Sequence, residues 1–476
     1  MTIEHYPFYL AGEAVHANTD LAVLSKVDGS AIARVARANR ESVDAAIAKA
    51  VEARRPLAQL PPWRRAAVLT AVRAGIESRG ETFARTIALE SGKPIRDARA
   101  EVARALDTFA LAANEATRIG GEVLPVDVSP ATRGWQAITR RFPIGVCAFV
   151  TPFNFPLNLV AHKIAPAIAA GCPFVLKPAS STPISALLVA ELLAECDLPP
   201  GSFSVLPTGH REAAPLVEDE RIAHLSFTGS PDVGWDMRAR AGSKRVSLEL
   251  GGNAGCIVDA GTDIARAAER IAKGAFGQSG QSCISVQRVF AHKSLFEALR
   301  DALVERARGL VVGDPLDEAT DIGPMIDEGE ARRVESWIRE ACDRGARLLT
   351  GGSRRGAFMD PAVLVEVDPS LPLACKEVFG PVVLLEPFDH FDDALERVNA
   401  SRYGLQAGVF TDSLDRTLRA FERLEVGAVV VGDVPTVRVD AMPYGGVKRS
   451  GLGREGPRFA IESLTELRTL LIHRPD

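Results

Sequence analysis

From residue 145 onward the chain repeats one pattern: a short, largely apolar run, a helical stretch, then another apolar run. The runs lie at 146–150, 174–176, 204–206, 223–227 and 246–250, with helical periodicity at 157–170 and 183–195 between them. Strands this short and this apolar must be buried on both faces. A parallel sheet with helices on either side provides that burial, so the pattern predicts a doubly wound α/β unit. A second series begins after Gly251-Gly252, with helices predicted at 263–277, 294–309, 327–344 and 391–399. Its strands are predicted at 288–291, 363–365, 407–410 and 428–431. The fold class read from these patterns is α/β, with two such domains meeting near residue 250, where a cleft is expected. The first ~120 residues read as mainly helical, at 41–56, 62–90 and 95–118. Segments 122–142 and 455–476 are left over. The alternation at 136–139 and 469–472 predicts that they pair as an outlying sheet, a candidate oligomerisation element.

Composition narrows the function classes. A chain of 476 residues is long enough for two or three domains and needs neither disulfides nor structural metals to bury a core. The net charge of -5, with no basic block, argues against a nucleic-acid partner. Met1–Leu10 lacks the basic start and apolar run of a secretion signal. The most apolar stretch, 144–176, is broken by Pro152, Asn154, Pro156, Asn158, His162, Lys163 and Pro166, so no membrane span is expected. The seven cysteines form no C-x-x-C pair, which speaks against a disulfide framework and a zinc site. A reducing, cytoplasmic setting and no metal are the expectation.

Six motifs carry candidate chemistry. In Gly280-Gln281-Ser282-Cys283 a thiol follows a glycine-containing loop, where exposure and a positive local field can ionise it. Glu249, in Leu248-Glu249-Leu250-Gly251-Gly252-Asn253, is a carboxylate among leucines at a strand end. Burial there would raise its pKa towards that of a general base. Asn154 stands in the stiff turn Thr151-Pro152-Phe153-Asn154-Phe155-Pro156, where a fixed amide can stabilise an oxyanion. Phe227-Thr228-Gly229-Ser230, with Gly234 beyond it, opens a helix after a strand, a placement suited to a pyrophosphate. Lys177 and Ser180, in Leu176-Lys177-Pro178-Ala179-Ser180, fall at the carboxyl edge of the same sheet, where nucleotides bind. In Lys376-Glu377-Val378-Phe379-Gly380-Pro381, an acid can bond ribose hydroxyls and a ring can pack on a nicotinamide. Singly, each has a bland reading: a buried cysteine, an exposed glutamate, or an ordinary strand-to-helix loop.

Together, from Ser91-Gly92-Lys93-Pro94 to Pro443-Tyr444-Gly445-Gly446-Val447-Lys448, these motifs resemble the aldehyde dehydrogenase superfamily. They match in order and in the 34-residue spacing of Glu249 from Cys283. The resemblance implies oxidation of an aldehyde to its acid with NAD or NADP, through a cysteine thiohemiacetal and thioester. In it Cys283 is the nucleophile, Asn154 the oxyanion amide and Glu249 the base for the hydrolytic water, and Glu455 takes part in a proton relay. Thr151, Pro152, Lys177, Ser180, Gly229, Ser230, Gly234, Glu377 and Phe379 would hold the cofactor. The implied division makes 1–121 and 143–250 a cofactor-binding domain and 251–432 a catalytic domain. Segment 433–454 becomes a substrate-side loop and linker. A homodimer or homotetramer is the expected assembly.

The chain departs from the family pattern in three places. Ser180 stands where many NAD-preferring relatives carry glutamate, which removes a charge that repels a 2′-phosphate, so acceptance of NADP is expected. Gly255 replaces a common proline and Gly432 a common asparagine. The segment 437–443 resembles lactaldehyde and semialdehyde dehydrogenases, and in it Arg438 is a candidate for binding an anionic substrate group. Arg104 is a second candidate. Rival readings are a CoA-acylating aldehyde dehydrogenase, an acyl-phosphate reductase and a non-catalytic binding protein on the same scaffold. The presence of both Glu249 and Cys283 weighs against all three.

Overall fold

The computed structural model describes residues 4–17 and 20–474. The parts of the expected domains at 1–3, 18–19 and 475–476 lie outside the described residues. Two sheets dominate. The first has eight strands. Its parallel centre runs, side by side, Arg245–Glu249, Ile222–Thr228, Val146–Val150, Phe174–Lys177 and Phe203–Val205. Chain order therefore reverses between Val146–Val150 and Ile222–Thr228. At such a switch point neighbouring loops diverge to opposite faces and leave a crevice beyond the carboxyl ends of the strands.

The second sheet has seven strands, of which Ala362–Val365, Val382–Phe388, Val286–His292, Ala254–Val258, Gln406–Phe410 and Ala428–Val431 are parallel. Glu249 ends the outermost parallel strand of the first sheet, and Ala254 begins the middle of the second. The Gly251-Gly252 joint thus sets the carboxyl edge of one sheet against the amino edge of the other. A third sheet pairs Thr465–His473 with Trp135–Pro143 in antiparallel register over nine residue pairs, and Val123–Leu124 adds to its edge. The predicted pairing of these two segments is present, although Pro457–Ser463 is a helix.

Two readings of the amino-terminal region are corrected. Residues 4–36 hold five short strands rather than helix, and Phe8–Leu10 extends the first sheet in antiparallel sense. These strands run only three to six residues, too short to show a period against their polar neighbours. The helix expected at 62–90 is two helices, Pro62–Ser78 and Gly80–Ser91, with the break at Arg79 (φ -110°, ψ 22°). No helix among the described residues is long and apolar enough to cross a membrane.

Candidate active site

A cleft of about 1280 Å³ opens where the two sheets face each other, and Cys283, Glu249, Asn154, Arg104, Arg438, Tyr444 and Glu455 line it. Cys283 reaches the cleft from a tight loop in which Gln278 and Ser279 both have left-handed backbones (φ 53° and 57°). Non-glycine residues adopt that conformation only when their surroundings enforce it. Here Ser279 Oγ donates to the Gly323 carbonyl (2.7 Å), Gln281 Oε1 accepts from the Ile326 N–H (2.9 Å), and Gln278 Nε2 donates to the Asn154 carbonyl. The Gly-Gly joint presses on this loop. A Cβ on Gly252 would lie 2.2 Å from the Cys283 carbonyl oxygen, and one on Gly251 would lie 2.2 Å from the Glu377 carboxylate.

Asn154 is buried, and its Nδ2 donates to the Gln281 carbonyl at 3.0 Å. That carbonyl, an acceptor only, fixes the amide orientation. An amide nitrogen carries two hydrogens, so one donor remains for a ligand. Burial pushes the Cys283 thiol up to about 12, against the Tyr444 hydrogen bond and the Arg438 charge. The Tyr444 hydroxyl lies 3.0 Å from Sγ.

Two buried carboxyls behind the thiol are driven in opposite directions. Burial, then the negative charge of Glu455, holds Glu249 well above the ordinary carboxylate range, and its Oε2 has no hydrogen-bond partner. Glu455 is also buried, but Lys163 (3.1 Å) and Arg438 (3.4 Å) outweigh burial and hold it down at about 2. One carboxyl stays charged while the other is available to exchange a proton, an arrangement suited to acid–base work. Lys163 is itself anchored on Ser226 Oγ (2.8 Å).

The far wall is built on Asp440. It accepts from Arg104 through Nε (3.0 Å) and Nη2 (2.7 Å), contacts His162 Nε2 at 2.7 Å, and lies 3.6 Å from Arg438 Nε. The Arg438 guanidinium sits 3.7 Å from the centre of the Tyr444 ring.

On the other side the cleft follows the switch point. Thr151 and Pro152 leave Val146–Val150 there. Gly229 and Ser230 leave Ile222–Thr228 and lead into the helix Pro231–Arg240. Lys177 is buried with only the Pro178 carbonyl near its Nζ (3.3 Å), and it has no acidic partner among the described residues. Burial alone lowers its pKa to about 8. Ser180 lies in the cleft wall, its Oγ 3.4 Å from the Thr208 carbonyl. Glu377 accepts from the Gly252 N–H (2.9 Å) and burial raises it to about 7. Phe379, at φ 49°, packs its ring edge-on to Phe153 at 5.8 Å.

Comparison with known proteins gives the family. The family model for "Aldehyde dehydrogenase family" matches residues 14–470. The chain belongs to the aldehyde dehydrogenase family. It is 43% identical over 472 residues to 3-sulfolactaldehyde dehydrogenase of Priestia aryabhattai, covering 99% of this chain and 98% of the relative. It is 39% identical over 460 residues to lactaldehyde dehydrogenase of Methanococcus vannielii, covering 95% of this chain and 97% of the relative. Among solved structures it resembles aldehyde dehydrogenase 21 of Physcomitrella patens in complex with its product succinate. That match has a TM-score of 0.98 and 45% identity, covering 99% of each chain. It also resembles glyceraldehyde-3-phosphate dehydrogenase of Methanocaldococcus jannaschii complexed with NADP, with a TM-score of 0.92 and 35% identity over 96% of this chain and 100% of that one.

The enzyme is thus an aldehyde dehydrogenase that uses NAD or NADP. Its cleft fits a dinucleotide, because Lys177 is buried there with no acidic partner among the described residues. Of the residues singled out from sequence, all line the cleft except Gly234. Gly234 is packed inside its helix, where an added Cβ would lie 2.4 Å from Leu250. Tyr444, Asp440, His162 and Lys163 were not singled out as site residues. Tyr444 stands within a matched signature and Asp440 within the segment 437–443, so both could have been; His162 and Lys163 showed only as polar breaks in an apolar stretch.

Proposed function

We propose that the enzyme oxidises a short aldehyde bearing an anionic group, and that Cys283, Asn154 and Glu249 carry the chemistry. The charge balance of the substrate wall carries this reading. In the ion pairs of this wall, Arg104 and Arg438 meet Asp440 while Lys163 and Arg438 meet Glu455, so three cations share two carboxylates. Arg104 is the better placed of the two candidate arginines. Asp440 occupies its Nε–Nη2 edge, and its other edge is free to grip a carboxylate or sulfonate. Arg438 is committed to Glu455, Asp440 and the Tyr444 ring. The names of the relatives point the same way: sulfolactaldehyde carries a sulfonate, and succinate a second carboxylate.

In this reading the Cys283 thiolate adds to the aldehyde carbon, and the free Asn154 N–H bonds the oxyanion that forms. Bound nicotinamide supplies the hydride acceptor. Glu249 then takes a proton from the water that hydrolyses the thioester, while Glu455, held charged, keeps the proton affinity of Glu249 high. Lys177 and Ser180 would bind the adenosine ribose, Gly229 and Ser230 the pyrophosphate, and Glu377 and Phe379 the nicotinamide end. Ser180 places no carboxylate where a 2′-phosphate would sit, so the enzyme is expected to accept NADP. Ser180→Glu should lower kcat/KM for NADP at least tenfold and spare NAD; equal effects on both would refute the assignment. The part of the chain around the first sheet then forms the cofactor-binding domain, that around the second the catalytic domain, and the third sheet an oligomerisation element.

Arg104→Met tests the substrate class. KM for succinic semialdehyde should rise at least tenfold while that for a neutral aldehyde of similar length stays within twofold. Equal loss on both substrates would overturn the anionic reading.

A further inference from the structure

Tyr444 is held more firmly than a lining residue needs to be. Its backbone exchanges two hydrogen bonds with Glu455, Tyr444 N–H to the Glu455 carbonyl (3.0 Å) and Glu455 N–H to the Tyr444 carbonyl (2.6 Å). The ring is buried, with the Arg438 guanidinium 3.7 Å from its centre on one side and the hydroxyl 3.0 Å from Cys283 Sγ at its tip. Burial and the carboxyls of Glu377 and Glu249 oppose negative charge on the sulfur; the Tyr444 hydrogen bond and Arg438 favour it.

The contact changes character when the thiol ionises. A neutral thiol and a phenol make a weak hydrogen bond in either direction. A thiolate has no proton to give, so the phenol must donate, and a bond to an ionised acceptor is roughly twice as strong. The Tyr444–Cys283 contact therefore stabilises the thiolate more than the thiol. A cation against the ring face draws density from the phenol and strengthens the O–H as a donor.

We propose that Tyr444 is a further catalytic residue: its hydroxyl donates to Cys283 Sγ and raises the population of the attacking thiolate, with Arg438 on the ring reinforcing the donor. This rests on Cys283 being the nucleophile. The thiol proton leaves to water in the cleft and the phenol keeps its own, so no proton is stored on tyrosine. As sulfur bonds to the aldehyde carbon, negative charge moves to the carbonyl oxygen and the O–H···S bond weakens.

Removal of the donor should have a characteristic size. A rise of one unit in the thiol pKa cuts the thiolate population tenfold, but the remaining thiolate is a better nucleophile by roughly threefold, so reactivity falls only about threefold per unit. The experiment is alkylation of Cys283 by iodoacetamide from pH 6 to 10, located by mass spectrometry. Tyr444→Phe, which removes only the hydroxyl, should alkylate at least threefold more slowly at pH 7. Tyr444→3-fluorotyrosine, nearly the same shape with a more acidic phenol, should alkylate faster than the wild type. The order Phe, Tyr, fluorotyrosine follows donor strength, which a purely packing role would not produce. A Phe variant as fast as the wild type, or a slower fluorotyrosine variant, overturns the proposal. If Tyr444→Phe does not fold, the fluorotyrosine comparison decides alone. Cys283→Ala separates the two ideas: turnover surviving in that variant refutes Cys283 as nucleophile, whereas its loss together with unchanged Tyr444 variants refutes only the role of Tyr444.

Discussion

At the scale of single residues, the site holds two buried carboxyls at opposite ends of the proton-affinity range. Glu455 is kept charged by Lys163 and Arg438, and its charge adds to burial in lifting Glu249. A raised pKa means that the base form of Glu249 grows with pH above the ordinary carboxylate range, so hydrolysis-limited turnover should climb there with rising pH, by at most about tenfold per pH unit. Glu249→Gln keeps the shape and removes the base. It should release about one equivalent of reduced cofactor per site in a rapid burst, then turn over at least 100-fold more slowly than the wild type. Burst spectrophotometry at the absorbance of the reduced nicotinamide is the measurement. Steady turnover near the wild-type rate, or no burst, would contradict the assigned role. Cys283, Glu249 and Asn154 were legible because each sits in a short run with its neighbours. Asp440, His162 and Lys163 were not. Each meets its partners only after a helix, Asn158–Ala170, and a distant loop have packed together, so the sequence showed His162 and Lys163 only as polar breaks in an apolar stretch and Asp440 only as a neighbour of Arg438.

At the scale of elements, the Gly251-Gly252 joint ties the Glu377 side of the cleft to the Cys283 side. The Gly252 N–H holds Glu377, while its missing side chain lets the Cys283 carbonyl come close. An Ala at this position would place Cβ against backbone, which cannot swing away as a side chain would. Gly252→Ala should therefore shift the loop that carries Cys283, the proposed nucleophile. A displacement near 1 Å at reacting atoms costs about 100-fold in rate, and kcat should fall by ten- to 100-fold in steady-state assays. A variant with wild-type kcat would show that the loop is set by its own hydrogen bonds alone. The reading of elements found Val146–Val150 and Gln406–Phe410, but it passed over Val382–Phe388, an inner strand of the second sheet that opens on four apolar residues before Glu386 and Pro387. It also passed over Ala254–Val258, a central strand that contains Gly255. That glycine lies where a Cβ would come within 2.7 Å of Val398, so it admits the helix Phe391–Asn399 close to the sheet.

At the scale of the whole molecule, the third sheet is unlike the other two. Trp135–Pro143 and Thr465–His473 form a long ribbon, and Val123, Ile138 and Leu470 pair across its three strands. Their exposures are 78%, 43% and 57%, so a row of apolar side chains crosses one face uncovered. Leu467 and Leu471 add further exposed apolar surface. A ribbon of two or three strands gains little stability in water unless a face is covered, and a contiguous apolar row of this kind marks a contact surface. The sequence showed the alternation that makes the ribbon but not what covers it, because a covering partner would leave no periodicity in this chain. The wild type is expected to be a homo-oligomer held through this face. Leu470→Glu places a charge at one end of the row, where burial without a partner would cost several kcal/mol. Light scattering coupled to size exclusion should find the wild type at a multiple of 50.9 kDa and the variant shifted towards 50.9 kDa. Because Leu470 lies outside the cleft, the variant's ability to bind NADP should persist at protein concentrations where it is monomeric. A Leu470→Glu protein with unchanged mass would mean that the ribbon is covered by nothing, and that the copies meet elsewhere or not at all.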